Sequence, residues 1–130
     1  MLRIATYVAP SEIAGMGLFS GTDLEEGAVI WEFDEGVDWR LTREEFDRFP
    51  EPYRGRLRHY VYVDEARMYV LCGDNAKFMN HSDTPNCDDP DGRVTITRRP
   101  VRAGEELTSD YRRFDVDSRQ HGLDFGAGGP

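Results

Sequence analysis

A chain of 130 residues has the length of one domain and can bury one modest core without disulfide or metal staples. It carries 25 acidic side chains against 16 basic ones, a formal charge of -9. That field repels phosphate backbones and anionic lipid, so neither direct nucleic-acid binding nor membrane binding is expected; it attracts a Lys/Arg-rich protein, although acidity also serves solubility alone. Cys72 and Cys87 make no disulfide framework, no apolar run approaches a membrane span, and MLRIATYVAPSE lacks the apolar core of a signal peptide. A reduced, cytoplasmic setting is the default expectation.

In chain order, IATYV (4–8) and VIWEF (29–33) alternate with period two and are rich in β-branched and aromatic residues, as strands are. LTREEFDRF (41–49) predicts a helix. Thr42 and Glu45 fit a capping box, Leu41 and Phe46 the accompanying hydrophobic staple, and Phe46 and Phe49 share a face. Pro50 and Pro52 end it, and YRGRLRHY (53–60) predicts a second helix weakened by Gly55. YVYV (60–63), MYVLC (68–72) and VTIT (94–97) predict further strands, with Val94 and Ile96 on one face and Thr95 and Thr97 on the other. DDPDG (88–92) reads as a turn, and GAGGP (126–130) is expected to fray. The result is a mainly β chain with a helical insert at about 38–60, lacking the strand–helix alternation of a doubly wound sheet.

Three stretches carry candidate chemistry. GMG (15–17) is not a dinucleotide loop, because no third glycine and no helix follow; it is a turn, or a place where bare backbone approaches a ligand. FMNHSDTPNC (78–87) puts His81 where an apolar run becomes polar. Structural zinc is not expected, since Cys72, His81 and Cys87 form no tight ligand pair. Nothing resembles a hydrolase elbow, so His81 alone reads as a histidine bonded by its own loop. In GEELTSDYR (104–112), Tyr111 alone reads as a half-buried residue with a wet hydroxyl.

Together, GMGLFS (15–20), NHSDTPNC (80–87) and GEELTSDY (104–111), in this order and around a helical insert, resemble the SET-domain family of protein-lysine methyltransferases. The resemblance spans about residues 3–112, implying a SET domain over 1–112 and a tail over 113–130. It implies a β-clip arrangement of small sheets with a C-terminal pseudoknot, where the NHS and ELTSDY segments cross. It further implies S-adenosylmethionine as cofactor, methyl transfer to the side-chain amine of a lysine in a basic protein, and a narrow channel for that lysine. By motif, Gly15, Met16 and Gly17 offer backbone groups to the methionine end of the cofactor. Asn80 holds its amino-acid moiety through the side-chain oxygen, His81 contacts adenine chiefly through backbone, and Tyr111 is the catalytic tyrosine.

Several positions depart from the family pattern. Asp83 stands where many members carry Cys, and the tail has no cysteine, so a lid over the adenine falls to Phe114, His121 or Phe125. Ser109 replaces an aromatic that limits how many methyls fit, which predicts room for higher methylation states. Phe33 occupies the place of a channel tyrosine, leaving Tyr60, Tyr62 or Tyr69 to supply that hydroxyl. Glu32, Asp34, Glu35 and Asp38 form an acidic patch expected to select basic peptides. Self-association into a homodimer is a further expectation. Two other functions stay open: a weak or inactive module of this fold that binds a basic partner, and an acidic β-rich interaction domain without cofactor.

Overall fold

The computed structural model describes residues 1–116; His121, Phe125 and the 126–130 tail lie outside the described residues. Strands β1 (Thr6–Pro10) and β2 (Met16–Ser20) form an antiparallel hairpin, Thr6 opposite Ser20 and Pro10 opposite Met16. Its turn closes through Gly15 at φ 46°, a left-handed conformation that suits glycine. The GMG stretch is therefore not a turn throughout: Gly15 bends the chain, and Met16 and Gly17 already belong to β2. Alternation then carries Leu18 into the core.

β3 (Val29–Glu32), β8 (Cys87–Asp88) and β9 (Val94–Thr97) build an antiparallel sheet with β9 central. The two faces of β9 alternate as expected, and the threonine face is the more buried one. Burial of hydroxyls is tolerated because each is bonded. Thr97 Oγ1 donates to the Glu25 carbonyl at 2.6 Å and accepts from the Ala28 amide at 3.0 Å, while Thr95 Oγ1 donates to Asp89.

A second three-stranded sheet joins β4 (Trp39–Leu41), β6 (Tyr69–Leu71) and β5 (Tyr62–Val63), in that order. Thus the 38–60 insert begins with a strand, Trp39–Leu41 pairing antiparallel with Leu71–Tyr69. Between β4 and β5 lie α1 (Arg43–Asp47) and α2 (Tyr53–Leu57). The Thr42/Glu45 capping box is present, and Phe46 packs 6.3 Å from Phe49 and 4.8 Å from Tyr69, ring centroid to centroid.

Last, β7 (Asn80–His81) pairs in parallel with β10 (Thr108–Ser109), Asn80 opposite Thr108 and His81 opposite Ser109. A parallel pair needs a long crossover, which the β8–β9 hairpin supplies. The core beneath these sheets is Leu18, Leu24, Ile30, Trp31, Val101 and Leu107 with both cysteines. Burial pushes the Cys72 thiol well above its usual range and the Cys87 thiol up to about 12, so both stay protonated.

Candidate functional site

The β7–β10 pair gathers the motif residues. Asn80 is buried, and its amide nitrogen donates towards Ala14 O (3.0 Å), Met16 O (3.2 Å) and Glu106 Oε2 (3.0 Å). Ser11 Oγ donates to both oxygens of the same carboxylate, at 2.8 and 2.9 Å. A Cβ on residue 17 would sit 2.3 Å from Glu106 Oε2. Gly17 is thus bare because Glu106 fills the space, and Glu106 clamps the β1–β2 turn to β7. With its nitrogen engaged, the Asn80 side-chain oxygen accepts no hydrogen bond among the described residues.

Asn86, also buried, fastens β10 from the other side. Its Nδ2 donates to Glu106 O at 2.8 Å, and its Oδ1 accepts from the Thr108 amide at 2.9 Å. His81 Nδ1 accepts the Tyr111 amide at 3.0 Å, so the ring proton lies on Nε2 and is donated to Asp83 Oδ1 at 2.8 Å. Arg112 bonds both Asp83 and Asp110, and its guanidinium holds the Asp110 carboxyl below its usual range. Asp83, which stands where many members carry Cys, therefore belongs to a charged chain that orients His81 and, through it, Tyr111.

Tyr111 donates its hydroxyl to the Met79 carbonyl. Burial, with Asp115 and Glu106 nearby, pushes the phenol well above its usual range, so at neutral pH it is a donor and not a phenolate base. The ring lines a cavity of about 90 Å³ together with Tyr60, Tyr62, Met79, Ser109 and Phe114. Several waters' worth of space is available there. Ser109 Oγ donates to Met79 Sδ at 3.1 Å. Lys77, the chain's only lysine, reaches the same wall, its ammonium 5.6 Å from the Phe78 ring centroid.

Gly15, Met16, Gly17, Asn80, His81, Ser109 and Tyr111 thus fall into one connected region. Phe33 does not line the Tyr111 cavity. It faces a neighbouring one with Arg40 and Tyr62, and the Arg93 guanidinium lies 5.1 Å from its ring centroid. Tyr69 packs on Phe46 and does not line the cavity; Tyr60 and Tyr62 do, the Tyr62 hydroxyl donating to Gly92 O at 3.2 Å. Phe114 stands edge-on to Tyr62 (4.9 Å) and Tyr111 (5.7 Å), forming cavity wall. The acidic patch shrinks. Asp38 is 3% exposed, accepting from the amides of Asp34 (3.0 Å) and Gly73 (3.1 Å) and pairing with the Met1 amino group (2.6 Å). Glu32 and Glu35 remain exposed.

Sequence reasoning missed Glu106 and Asn86, although both lie inside quoted motifs, and Asp89, hidden in the supposed turn DDPDG. Asp89 is buried, and burial pushes its carboxyl up to about 6 against the pull of the Thr95 and Ser109 hydroxyls.

Small sheets, a parallel β7–β10 pair and a tyrosine beside a cavity define the architecture of a SET domain. The sequence model of that family, described as "SET domain", matches residues 15–112. The chain belongs to the SET domain family. It is similar to the histone-lysine N-methyltransferase trr of Drosophila melanogaster, 30% identical over 98% of this chain and 6% of that protein. It is also similar to the human histone-lysine N-methyltransferase 2D, 32% identical over 88% of this chain and 2% of that protein. The chain spans only these small fractions of the curated relatives. Among solved structures, a candidate histone methyltransferase of Plasmodium falciparum superposes with a TM-score of 0.61 at 18% identity, covering 85% of this chain and 95% of that one. An inhibitor-bound, humanized Polycomb Repressive Complex 2 of Chaetomium thermophilum gives 0.64 at 23%, covering 89% and 16%. These likenesses establish the fold.

Proposed function

We propose that this SET domain transfers a methyl group from S-adenosylmethionine to the side-chain amine of a lysine in a basic protein. The observation that carries the reading is the β7–β10 pair, which sets the Asn80 amide, the Glu106-clamped hairpin turn and the Tyr111 cavity side by side. The family membership and the names of the curated relatives support it.

The residues fit the cofactor. The unengaged Asn80 oxygen suits the ammonium of its amino-acid part, and the Ala14 and Met16 carbonyls, each with a second lone pair, line the same corner. Bound there, the cofactor would supply an electrophilic sulfonium methyl. Displacement at that carbon needs alignment, not a nucleophilic side chain from the protein. Tyr111, protonated and bonded to Met79 O, holds the cavity's shape, and its hydroxyl and that carbonyl would offer oxygen atoms to polarised C–H groups. The apolar walls favour the neutral amine over the ammonium. The acidic exterior favours approach of a basic protein.

Calorimetric titration with S-adenosylmethionine tests the reading: wild type binds one equivalent, and Asn80→Ala loses most of that affinity. Equal binding by both proteins, or none by wild type, contradicts it. The second reading, a module that binds a basic partner without turnover, draws on Phe33, which lacks a hydroxyl and lies outside the Tyr111 cavity. Cofactor binding without methyl transfer would favour that alternative.

A further inference from the structure

The β1–β2 turn is built around the Glu106 carboxylate. Ser11 Oγ donates to both of its oxygens, at 2.8 and 2.9 Å, and itself accepts the Ile13 amide at 2.9 Å. Asn80 Nδ2 donates to Oε2 at 3.0 Å. The main chain of Glu106 is fixed separately: it bridges Phe19, and its carbonyl accepts from Asn86 Nδ2 at 2.8 Å. Glu106 is thus held by neutral donors, and no basic side chain pairs with it among the described residues. Glu105, its neighbour, pairs with Arg99. The Glu106 charge is left for a ligand to meet.

The same carboxylate decides how the Asn80 amide lies. The nitrogen faces three oxygens, Ala14 O, Met16 O and Glu106 Oε2. An amide oxygen placed there would meet acceptors alone, so the group has one orientation, nitrogen inward and Oδ1 outward. Oδ1 takes no hydrogen bond among the described residues, and unlike Trp31 Nε1 and Asp89 Oδ2 it is not sealed from solvent among them. Donation to a carboxylate also polarises an amide and enriches its oxygen in negative charge.

Resting on the reading of this corner as the place of the cofactor's amino-acid part, we propose that Glu106 is the positioning residue that makes the corner select a ligand carrying an ammonium. It acts through Asn80. The fixed amide offers an oxygen and no N–H, and the carboxylate charge stands one amide group behind that oxygen. An ammonium satisfies the oxygen and meets the charge. A ligand of the same shape with hydrogen in place of the amino group leaves both unanswered, and an unmet polar group in a part-buried site costs affinity.

The test is calorimetry on the 130-residue chain with S-adenosylhomocysteine and its deaminated counterpart, in which hydrogen replaces the α-amino group. Wild type should bind the first at least about tenfold more tightly, as expected for a charge met away from bulk water. Glu106→Gln keeps the size and an acceptor for Asn80 but removes the charge. It should weaken S-adenosylhomocysteine at least about tenfold and leave the deaminated ligand little changed, so the ratio between them collapses. A purely structural clamp would weaken both alike. Ser11→Ala, which loosens the clamp and spares the charge, should change both affinities by the same factor. Thermal unfolding checks the fold of each variant. Where Glu106→Gln fails to fold, wild type decides through its ligand ratio and through the Asn80 side-chain N–H hydrogens, which should exchange slowly with water in the free protein and in the complex. Equal affinity of wild type for the two ligands, an unchanged ratio in Glu106→Gln, a collapsed ratio in Ser11→Ala, or rapid exchange of the Asn80 hydrogens overturns the proposal and leaves the functional reading standing. Binding of neither ligand by wild type contradicts the functional reading and takes the proposal with it.

Discussion

Glu106 explains why residue 17 is glycine. Gly17→Ala forces the carboxylate off Ser11 and Asn80, because the new Cβ would lie 2.3 Å from Oε2. The expected cost is about 1–3 kcal/mol in denaturant unfolding, in line with other overpacked sites, together with weakened cofactor binding. Asp89 has its own pH signature. Its carboxyl is raised from 3.8 to about 6, so the fold favours the protonated form. That contribution is fully present below pH 3.8 and is lost as pH rises through about 6, amounting to about 3 kcal/mol. Asp110, lowered by Arg112, and Glu105, lowered by the Arg102 amide, act with the opposite sign. The clean observable is therefore a difference: Asp89→Asn should gain on wild type by about that amount between pH 4 and pH 7.5. A gap independent of pH would contradict it. Ser109, buried on the cavity wall, leaves room beside Tyr111. Mass spectrometry of product should show di- or trimethylation by wild type and a shift to lower states in Ser109→Tyr; strict monomethylation by wild type would refute this.

Helix α1 shows how far local sequence rules reach. Its capping box is present as Thr42 and Glu45 imply, and Thr42→Ala should cost about 0.5–2 kcal/mol by chemical unfolding with little effect on the cavity. Strands β1, β3 and β9 were legible within a residue or two, because four or five alternating residues reveal a period; β2, as long as β1, was hidden by its glycine-rich start, which read as a turn. β7, β8 and β10 have two residues each, too few for any periodicity, and β4 hid in front of the helix it introduces. The motif residues around Asn80 and Tyr111 could be named from three stretches in order. Their connectors could not: Glu106 acts through contacts with residues 11, 17 and 80, and such long-range meetings leave no local pattern. That Phe33 and Tyr69 do not line the Tyr111 cavity was hidden for the same reason. A strand's pairing and a helix's packing decide which side chain meets the cavity, and here Tyr60 and Tyr62 do. Asp89 looked like turn polarity in DDPDG, although Asp91 is the residue that caps that turn, accepting from the Arg93 and Val94 amides.

Across the molecule, the four small sheets of the described residues share one modest hydrophobic core. They are tied by buried side-chain amides, Asn80 and Asn86, that fasten the hairpin, β7 and β10 to one another. The Asn80–Glu106 corner and the Tyr111 cavity both draw residues from this one strand pair, so damage to the pair should abolish cofactor binding and methyl transfer together. The most direct test is transfer of labelled methyl from S-adenosylmethionine to a mixture of basic proteins, with Tyr111→Phe measured alongside and checked for folding by thermal melting. Wild type should label lysines of the mixture, and Tyr111→Phe, losing one hydrogen bond to Met79 O, should stay folded and lose at least about tenfold of the rate. Undiminished transfer by Tyr111→Phe, or cofactor binding with no transfer by wild type, would contradict the account.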